Sequence, residues 1–113
     1  MKNPRSSPRK GTHTESTLRK LVDLHRAISD FQVANLYNPS YLEIVGMKNP
    51  KGETRIAPST SEVARFFRIM GKFAMVEHTK RTSRALRLLP VDQWDAKMQK
   101  IYRDILREEK VKP

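Results

Sequence analysis

The segment "STSEVARFFRIM", residues 59–70, constrains the fold of this chain more than any other stretch. Ser59 followed three residues later by Glu62 has the pattern of a capping box, which marks the start of a helix. We expect the helix to run to about Met70 and to end at Gly71, which accepts the left-handed conformation. The apolar side chains predicted to face inward are Val63, Phe66, Phe67 and Met70.

The opposite face of this predicted helix is basic. Spacings of four, three and four residues put one set of polar side chains on it: Ser61, Arg65, Arg68 and Lys72. A face that is merely solvated usually mixes Lys with Glu, whereas this set contains no acid. The pattern therefore favours a helix that packs through its phenylalanines and presents cations on the other side.

The whole chain shares this excess of positive charge. It contains 23 Lys and Arg against 12 Asp and Glu in 113 residues, which gives a formal net charge of +11. Such an excess does not stabilise the fold, because the positive charges repel one another. Proteins with this excess commonly bind a polyanion, which releases its condensed counterions on binding. Nucleic acid is the partner we expect, with an anionic membrane surface or an acidic protein as alternatives.

The hydrophobic fraction of 37% and the mean hydropathy of −0.69 predict one small domain with a limited core. The chain has no cysteine and therefore no disulfide or thiol chemistry. No apolar run reaches the roughly 20 residues of a membrane span, and the first residues lack the apolar stretch of a secretory signal. A cytoplasmic, nucleoid-associated protein is the simplest expectation, and a mitochondrial presequence is the alternative.

Residues 1–13 are predicted to be a disordered basic arm, because no large apolar side chain follows Met1. Two interpretations stay open: a solubilising tail, or an arm that tracks a phosphate backbone or enters a minor groove. The cations assigned to DNA in the second case are Arg5, Arg9 and Lys10.

A first long helix is predicted to follow Thr14, the N-cap, in "ESTLRKLVDLHRAISDFQVANLY". Glu15 in its first turn meets the positive end of the helix dipole. The side chains on its apolar face recur every three or four residues: Leu18, Leu21, Val22, His25, Ile28 and Phe31. We interpret His25 as a core or boundary residue rather than a metal ligand, because neither His13 nor His78 stands at a ligand spacing from it.

The stretch that follows allows two structures. Asn38 as N-cap, Pro39 as first helical residue and Gly46 as terminator predict a short helix over 39–46. Alternatively, "YLEIVGM" and "ETRIA" form a β-hairpin around "KNPKG". We favour the helix, followed by a long loop or a short strand at 53–57.

Two strands are predicted after the basic helix, in "KFAMVE" and "RALRLLP". Apolar residues alternate at Phe73 and Met75 in the first and at Leu86 and Leu88 in the second. The connection "HTKRTS" is polar and basic, so the pair makes a hairpin with a positive tip, the arrangement called a wing. The alternative is a helix over Thr82–Leu89, since Ala, Leu and Arg are good helix formers.

The last predicted element is a helix over residues 90–110. Its apolar residues recur at spacings of three and four: Val91, Trp94, Met98, Ile101 and Ile105. We interpret this seam as the surface of a homodimer, with Trp94 and Tyr102 as buried anchors, because the core of a single chain is small. The alternative is that the helix packs on its own domain.

In this order the elements resemble the winged helix-turn-helix fold, and in detail the DNA-binding domain of LexA-type repressors. "PSYLEIVGM" is similar to the second helix of that family, "STSEVARFFRIMGKFAMVE" to its recognition helix and first wing strand, and "RTSRALRLL" to its wing. The likeness covers about residues 17–89, within a predicted domain of residues 14–89. The connection "KNPKGETRIAP" is longer than the usual turn of three or four residues, and the peptidase domain of that family has no counterpart here.

The resemblance implies a mainly α protein with a small β-hairpin that binds double-stranded DNA sequence-specifically, as a dimeric transcriptional regulator. The residues it directs to the major groove are Ser59, Thr60, Ser61, Arg65 and Arg68, with Lys72 beside them. Those on the wing, against phosphate or in a minor groove, are Lys80, Arg81 and Arg84. The alternatives are a structural RNA-binding protein such as a ribosomal component, and a phage or plasmid replication or packaging factor with the same fold.

The sequence contains no motif of an enzyme. It has no Gly-rich phosphate loop, no HExxH, no paired metal-ligand spacing and no nucleophile elbow. We therefore expect no catalysis, no cofactor and no metal. Acids near the end of the chain are explained by pairing along a helix, such as Lys100 with Asp104.

Overall fold

The computed structural model describes residues 14–78 and 86–111. It is mainly helical with one two-stranded antiparallel sheet, which confirms the predicted fold class at that level. Its elements are α1 (Glu15–Asn35), α2 (Tyr41–Val45), α3 (Thr60–Lys72), β1 (Val76–His78), β2 (Leu86–Leu88), a 3-10 turn (Val91–Gln93) and α4 (Ala96–Val111). The predicted basic arm and the predicted wing tip lie outside the described residues, and with them Arg5, Arg9, Lys10, Lys80, Arg81 and Arg84.

Helix α1 forms the centre of the core. The Thr14 hydroxyl accepts a hydrogen bond from the Thr17 N–H at 3.1 Å, which confirms the predicted N-cap. The buried side chains of α1 are Leu18, Leu21, Val22, Leu24 and Ile28. The helix ends where Leu36 adopts the left-handed conformation, with φ at 66°, and the Leu36 N–H donates to the Gln32 carbonyl at 2.8 Å.

Helix α2 starts two residues later than predicted. Ser40, not Asn38, is the N-cap: its hydroxyl accepts from the Glu43 N–H at 3.2 Å, and its N–H donates to the Glu43 carboxylate at 2.7 Å. This reciprocal capping box satisfies two N–H groups, whereas an Asn cap satisfies one. The Asn38 side chain accepts a hydrogen bond from Gln32 instead.

The connection from α2 to α3 combines both predicted alternatives. Lys48 and Arg55 form an isolated antiparallel bridge, and Gly52 in the turn between them has a φ of 73°. Asn49 closes the turn, because its N–H donates to the Thr54 carbonyl at 2.8 Å and its carbonyl accepts from the Gly52 N–H at 2.8 Å. The residues that anchor the turn in the core are Ile56 and Ala57. A hairpin arm in "YLEIVGM" is wrong, since that segment is largely helical.

Helix α3 begins as predicted. The Ser59 hydroxyl accepts from the Glu62 N–H at 3.2 Å. The Glu62 carboxylate binds Arg65, so the capping box has only its Ser59 half. The side chains that α3 buries, including all those predicted, are Val63, Phe66, Phe67, Ile69 and Met70.

The predicted helix stop at Gly71 is wrong. Helix α3 runs through Gly71 to Lys72, and the left-handed residue is Ala74, with φ at 60°. The Met75 N–H donates to the Met70 carbonyl at 2.9 Å and the Ala74 N–H to the Gly71 carbonyl at 3.2 Å, the two hydrogen bonds of a Schellman motif. The cause is tertiary, because burial of Met75 draws the chain across the end of the helix and into β1.

Strands β1 and β2 form an antiparallel hairpin as predicted, but β1 starts later than predicted. Phe73 is the C-cap of α3 and Ala74 is left-handed, so the alternation of Phe73 and Met75 does not belong to a strand. Val76 pairs with Leu88, and Glu77 with Arg87. Because β2 covers Leu86–Leu88, the alternative of a helix over this stretch is wrong. Burial of Val76 and partial burial of Leu88 hold the hairpin on the core.

The last segment packs on its own domain, which corrects two predictions. It is not one helix: extended Trp94 separates the 3-10 turn from α4, and the Asp95 carboxylate accepts from the Lys97 N–H at 3.1 Å before the helix begins. The seam predicted for dimerisation is buried within the chain: Trp94 at 3% exposure, Met98 at 0%, Ile101 at 8% and Ile105 at 7%, with Val91 and Tyr102 partly buried. The seam covers apolar surface of the same chain that would otherwise meet water.

Candidate nucleic-acid interface

The exposed face of α3 carries the residues predicted to contact DNA. Ser59, Thr60 and Ser61 lie exposed where the helix begins, and Arg68 and Lys72 lie exposed about two and three turns further along. Burial of the opposite face fixes the direction in which these side chains point. No ion pair within the described residues involves Arg68 or Lys72.

Arg65, which is predicted to face the major groove, is paired with an acid of its own helix. Its Nε and Nη2 donate to the two carboxylate oxygens of Glu62 at 2.8 and 3.3 Å. Its guanidinium carbon lies 5.0 Å from the centre of the Phe66 ring. The hydrogen-bonded pair lowers the pKa of Glu62 and raises the pKa of Arg65. The charge of Arg65 is therefore balanced within the chain.

The Glu62–Arg65 pair costs little to rearrange. The two side chains are 36% and 42% exposed, and exposed ion pairs contribute only ~0.2–1 kcal/mol to stability. A guanidinium has five N–H donors, so two hydrogen bonds to Glu62 leave others for a phosphate or a base. On the exposed face of α3, Arg65 is thus paired with Glu62, while Arg68 and Lys72 carry charge that no ion pair in the described ranges balances.

The hairpin brings together the two ends of the segment 79–85. The cations in that segment, which contains no acid, are Lys80, Arg81 and Arg84. On the strands themselves, Arg87 donates to the Glu77 carboxylate at 3.2 Å across the pair. These two charges cancel, so the excess of positive charge at this end of the hairpin belongs to the connection.

A second basic surface, absent from the sequence predictions, lies on the turn between α2 and α3. Lys48, Lys51 and Arg55 are exposed there, and no ion pair in the described ranges involves them. We call these three residues the basic turn. The signal for it in the sequence is "KNPKGETR", in which turn-forming residues are flanked by cations.

Two arginines of α1 are paired with acids of α4 close to the basic turn, since Lys51 lines the same depression as Arg19, Glu108 and Glu109. Arg19 donates to Glu108 at 2.7 and 2.8 Å, and Arg26 to Glu109 at 2.9 Å, which ties α1 to α4. The described residues contain fifteen Lys and Arg and all twelve Asp and Glu. The other eight cations, with no acid among them, belong to three segments: residues 1–13, 79–85 and 112–113. The net positive charge of the chain therefore belongs mainly to residues outside the described ranges.

His25 has a structural role, as predicted. Its Nε2 lies 3.1 Å from the Leu89 carbonyl, and its ring meets Trp94 edge-on with centres 4.8 Å apart. Burial lowers the pKa of His25, which favours the neutral ring. Among the described residues, no three His, Asp or Glu side chains are grouped so that they could hold a metal ion.

Comparison with known proteins finds no family model, curated protein or solved structure that matches the chain. None of the helices in the described ranges combines the length and the apolar character needed to cross a bilayer. The function must therefore be inferred from the fold and from the distribution of charge.

Proposed function

We propose that this protein binds double-stranded DNA as a winged helix-turn-helix regulator of transcription. Helices α2 and α3 serve as the helix-turn-helix pair, α3 as the recognition helix, and the β1–β2 hairpin as the wing. Tyr41 of α2 packs edge-on against Phe67 of α3 with ring centres 5.5 Å apart, and Ile44 is fully buried in the same core. This packing supports a pair of helices that moves as one unit.

One observation carries the proposal: Arg68 and Lys72 are exposed on α3 with no ion pair in the described ranges, and cation-rich segments precede and follow that helix in the chain. The basic turn precedes α3 in the chain, Arg68 and Lys72 lie on α3, and residues 79–85, which follow it, contain three cations and no acid. The rest of the folded body balances much of its charge internally. Cations left unpaired on one set of elements repel each other unless a polyanion supplies the opposite charge.

The residues take distinct parts in the proposed complex. Arg68 presents a fork of donors that matches guanine O6 and N7 in the major groove, whose width of about 12 Å admits one helix. Lys72 and the basic turn contact phosphates, which set the orientation of the protein on the duplex. The hydroxyl groups available at the first turn of α3 are those of Ser59, Thr60 and Ser61.

Arg68→Ala tests the proposal, with Arg103→Ala as its matched control. Both are exposed helical arginines without an ion pair in the described ranges, but Arg103 lies on α4. A site is first selected from a random duplex pool, and binding is then measured by fluorescence anisotropy. Arg68→Ala should weaken binding by ~1–3 kcal/mol and relax the preference at one base pair. Arg103→Ala should leave that preference unchanged.

Two results would speak against the proposal. Equal affinity for duplex DNA and single-stranded RNA, with no enriched sequence, would exclude base reading by α3. Tighter binding to RNA that both variants weaken equally would favour the alternative of a structural RNA-binding protein.

A further inference from the structure

The segment "FQVANLYNPSYL", residues 31–42, contains no charged residue, although charged residues make up 31% of the chain. It holds all the large apolar side chains that are exposed in the described ranges: Val33 at 77%, Leu36 at 89%, Tyr37 at 46% and Leu42 at 76%. We call these four residues the apolar patch. Single exposed apolar residues are ordinary, but four of them in one short uncharged segment point to an interaction site.

Leu36 is the most exposed member of the patch and the least expected at its position. It is the left-handed residue that ends α1, with φ at 66° and ψ at 22°. Glycine or asparagine is favoured there, because a side chain on Cβ is strained in this conformation. At 89% exposure Leu36 gains almost no packing within the chain. Leu36 therefore has a strained backbone and also exposes its apolar side chain to water. This combination points to a contact with a partner outside the chain.

A shallow depression adjoins Leu36 on the same surface. Its walls are formed by Gln32, Tyr37, Asn38, Arg87 and Leu88, together with Leu36 itself. Arg87, the single cation in this lining, is paired with Glu77. A projecting leucine next to a depression is self-complementary, which is the requirement for a two-fold interface between identical chains.

The rest of the sequence does not supply an occupant for the patch. Outside the described ranges it contains one large apolar residue, Met1, and otherwise polar, basic and small residues. A second copy does supply one, and the patch suits it electrostatically. Two chains with a formal charge of +11 each repel one another. The segment 31–42 lets them meet with few like charges opposed, because it has no charged residue and Arg87, beside it, is paired with Glu77.

We propose that two copies of this chain associate through the apolar patch, with Leu36 of each copy placed in the depression of the other. This surface, and not the buried seam of α4, then joins the copies. The inference does not rest on DNA binding. Because the patch is small, we expect weak association, with a Kd on the order of 10 µM.

Sedimentation equilibrium without nucleic acid tests the proposal over protein concentrations from about 1 to 500 µM, a range chosen to bracket the expected Kd. The wild-type chain should change from monomer to dimer, and added salt should strengthen the dimer because it screens the mutual repulsion. Leu36→Asn should raise the Kd by at least ~10-fold. Its melting temperature should hold within about 2 °C or rise, because Asn tolerates the left-handed conformation.

Leu36→Met is the matched control, because it keeps an apolar side chain at the same position and should keep the dimer. A wild-type chain that stays monomeric over the whole range overturns the proposal. So does a Leu36→Asn variant that dimerises like the wild type. A dimer that dissociates as salt is added also overturns it, since such a dimer is held by charged contacts elsewhere.

Discussion

Replacing Met98 with alanine is expected to destabilise the folded monomer by about 3 kcal/mol. Met98 is fully buried in the core and lies on the seam of α4. Its side chain loses about 2 kcal/mol of transfer free energy on truncation, and the space left behind adds ~1 kcal/mol. The loss is large because the core of this small domain has few other contacts that could compensate.

Urea unfolding followed by the fluorescence of Trp94, the single tryptophan, measures this loss. Trp94 is 3% exposed and meets the rings of His25 and Tyr102, so its emission reports on the α4 contact. In a thermal scan the same loss lowers Tm by roughly 10–20 °C for a domain of this size. Lys97→Ala, at the exposed neighbouring position, should change stability by less than ~0.5 kcal/mol.

The dependence of the unfolding midpoint on protein concentration tells whether the seam of α4 packs within one chain or joins two chains. The experiment is done in the Leu36→Asn background, in which the proposed dimer contact is removed. An intramolecular seam gives an unfolding midpoint that is the same at every protein concentration, whereas a dimer seam gives a midpoint that rises with concentration. A rising midpoint that Met98→Ala abolishes, or a loss below ~1 kcal/mol, would refute the reasoning.

Two further substitutions probe the helix end and the buried histidine. Gly71→Ala should stabilise the protein by about 0.5–1 kcal/mol in the same assay, because Gly71 lies inside α3 and there is open space around an added Cβ. If the variant is less stable instead, the helix stops at Gly71. Stability should also fall as the pH drops below about 6.5. Burial lowers the pKa of His25, so this contribution is complete above the unfolded pKa and is lost as the pH falls towards the folded one. His25→Gln should flatten the unfolding free energy against pH, and an unchanged slope would assign the effect elsewhere.

Features set by residues close together in the chain were predictable. The caps at Thr14 and Ser59 depend on an N–H three residues away, so the sequence alone indicates them. Asn38 and Ser40 compete as the N-cap of α2. Ser40 is the N-cap because its capping box with Glu43 satisfies two backbone N–H groups instead of one.

The candidate site was predictable only in part. The basic face of α3 follows from helical spacing, and Arg68 and Lys72 are exposed on it as expected. The use of Glu62 was not predictable, because its carboxylate can reach either the cap N–H or Arg65, and it binds Arg65. The basic turn was missed because its cations follow no helix or strand period and are brought together by the bridge between Lys48 and Arg55.

By itself the sequence determined where most helices and strands lie and which of their faces are apolar. Only the tertiary structure decided what covers those faces: the seam of α4 packs inside its own domain, while Leu36 and its neighbours stay open. The physical reason is that capping hydrogen bonds are directional and short in reach, whereas hydrophobic burial has no direction and grows with area. An apolar stripe in the sequence therefore predicts that a surface will be buried. Which surface packs against it depends on the whole folded chain.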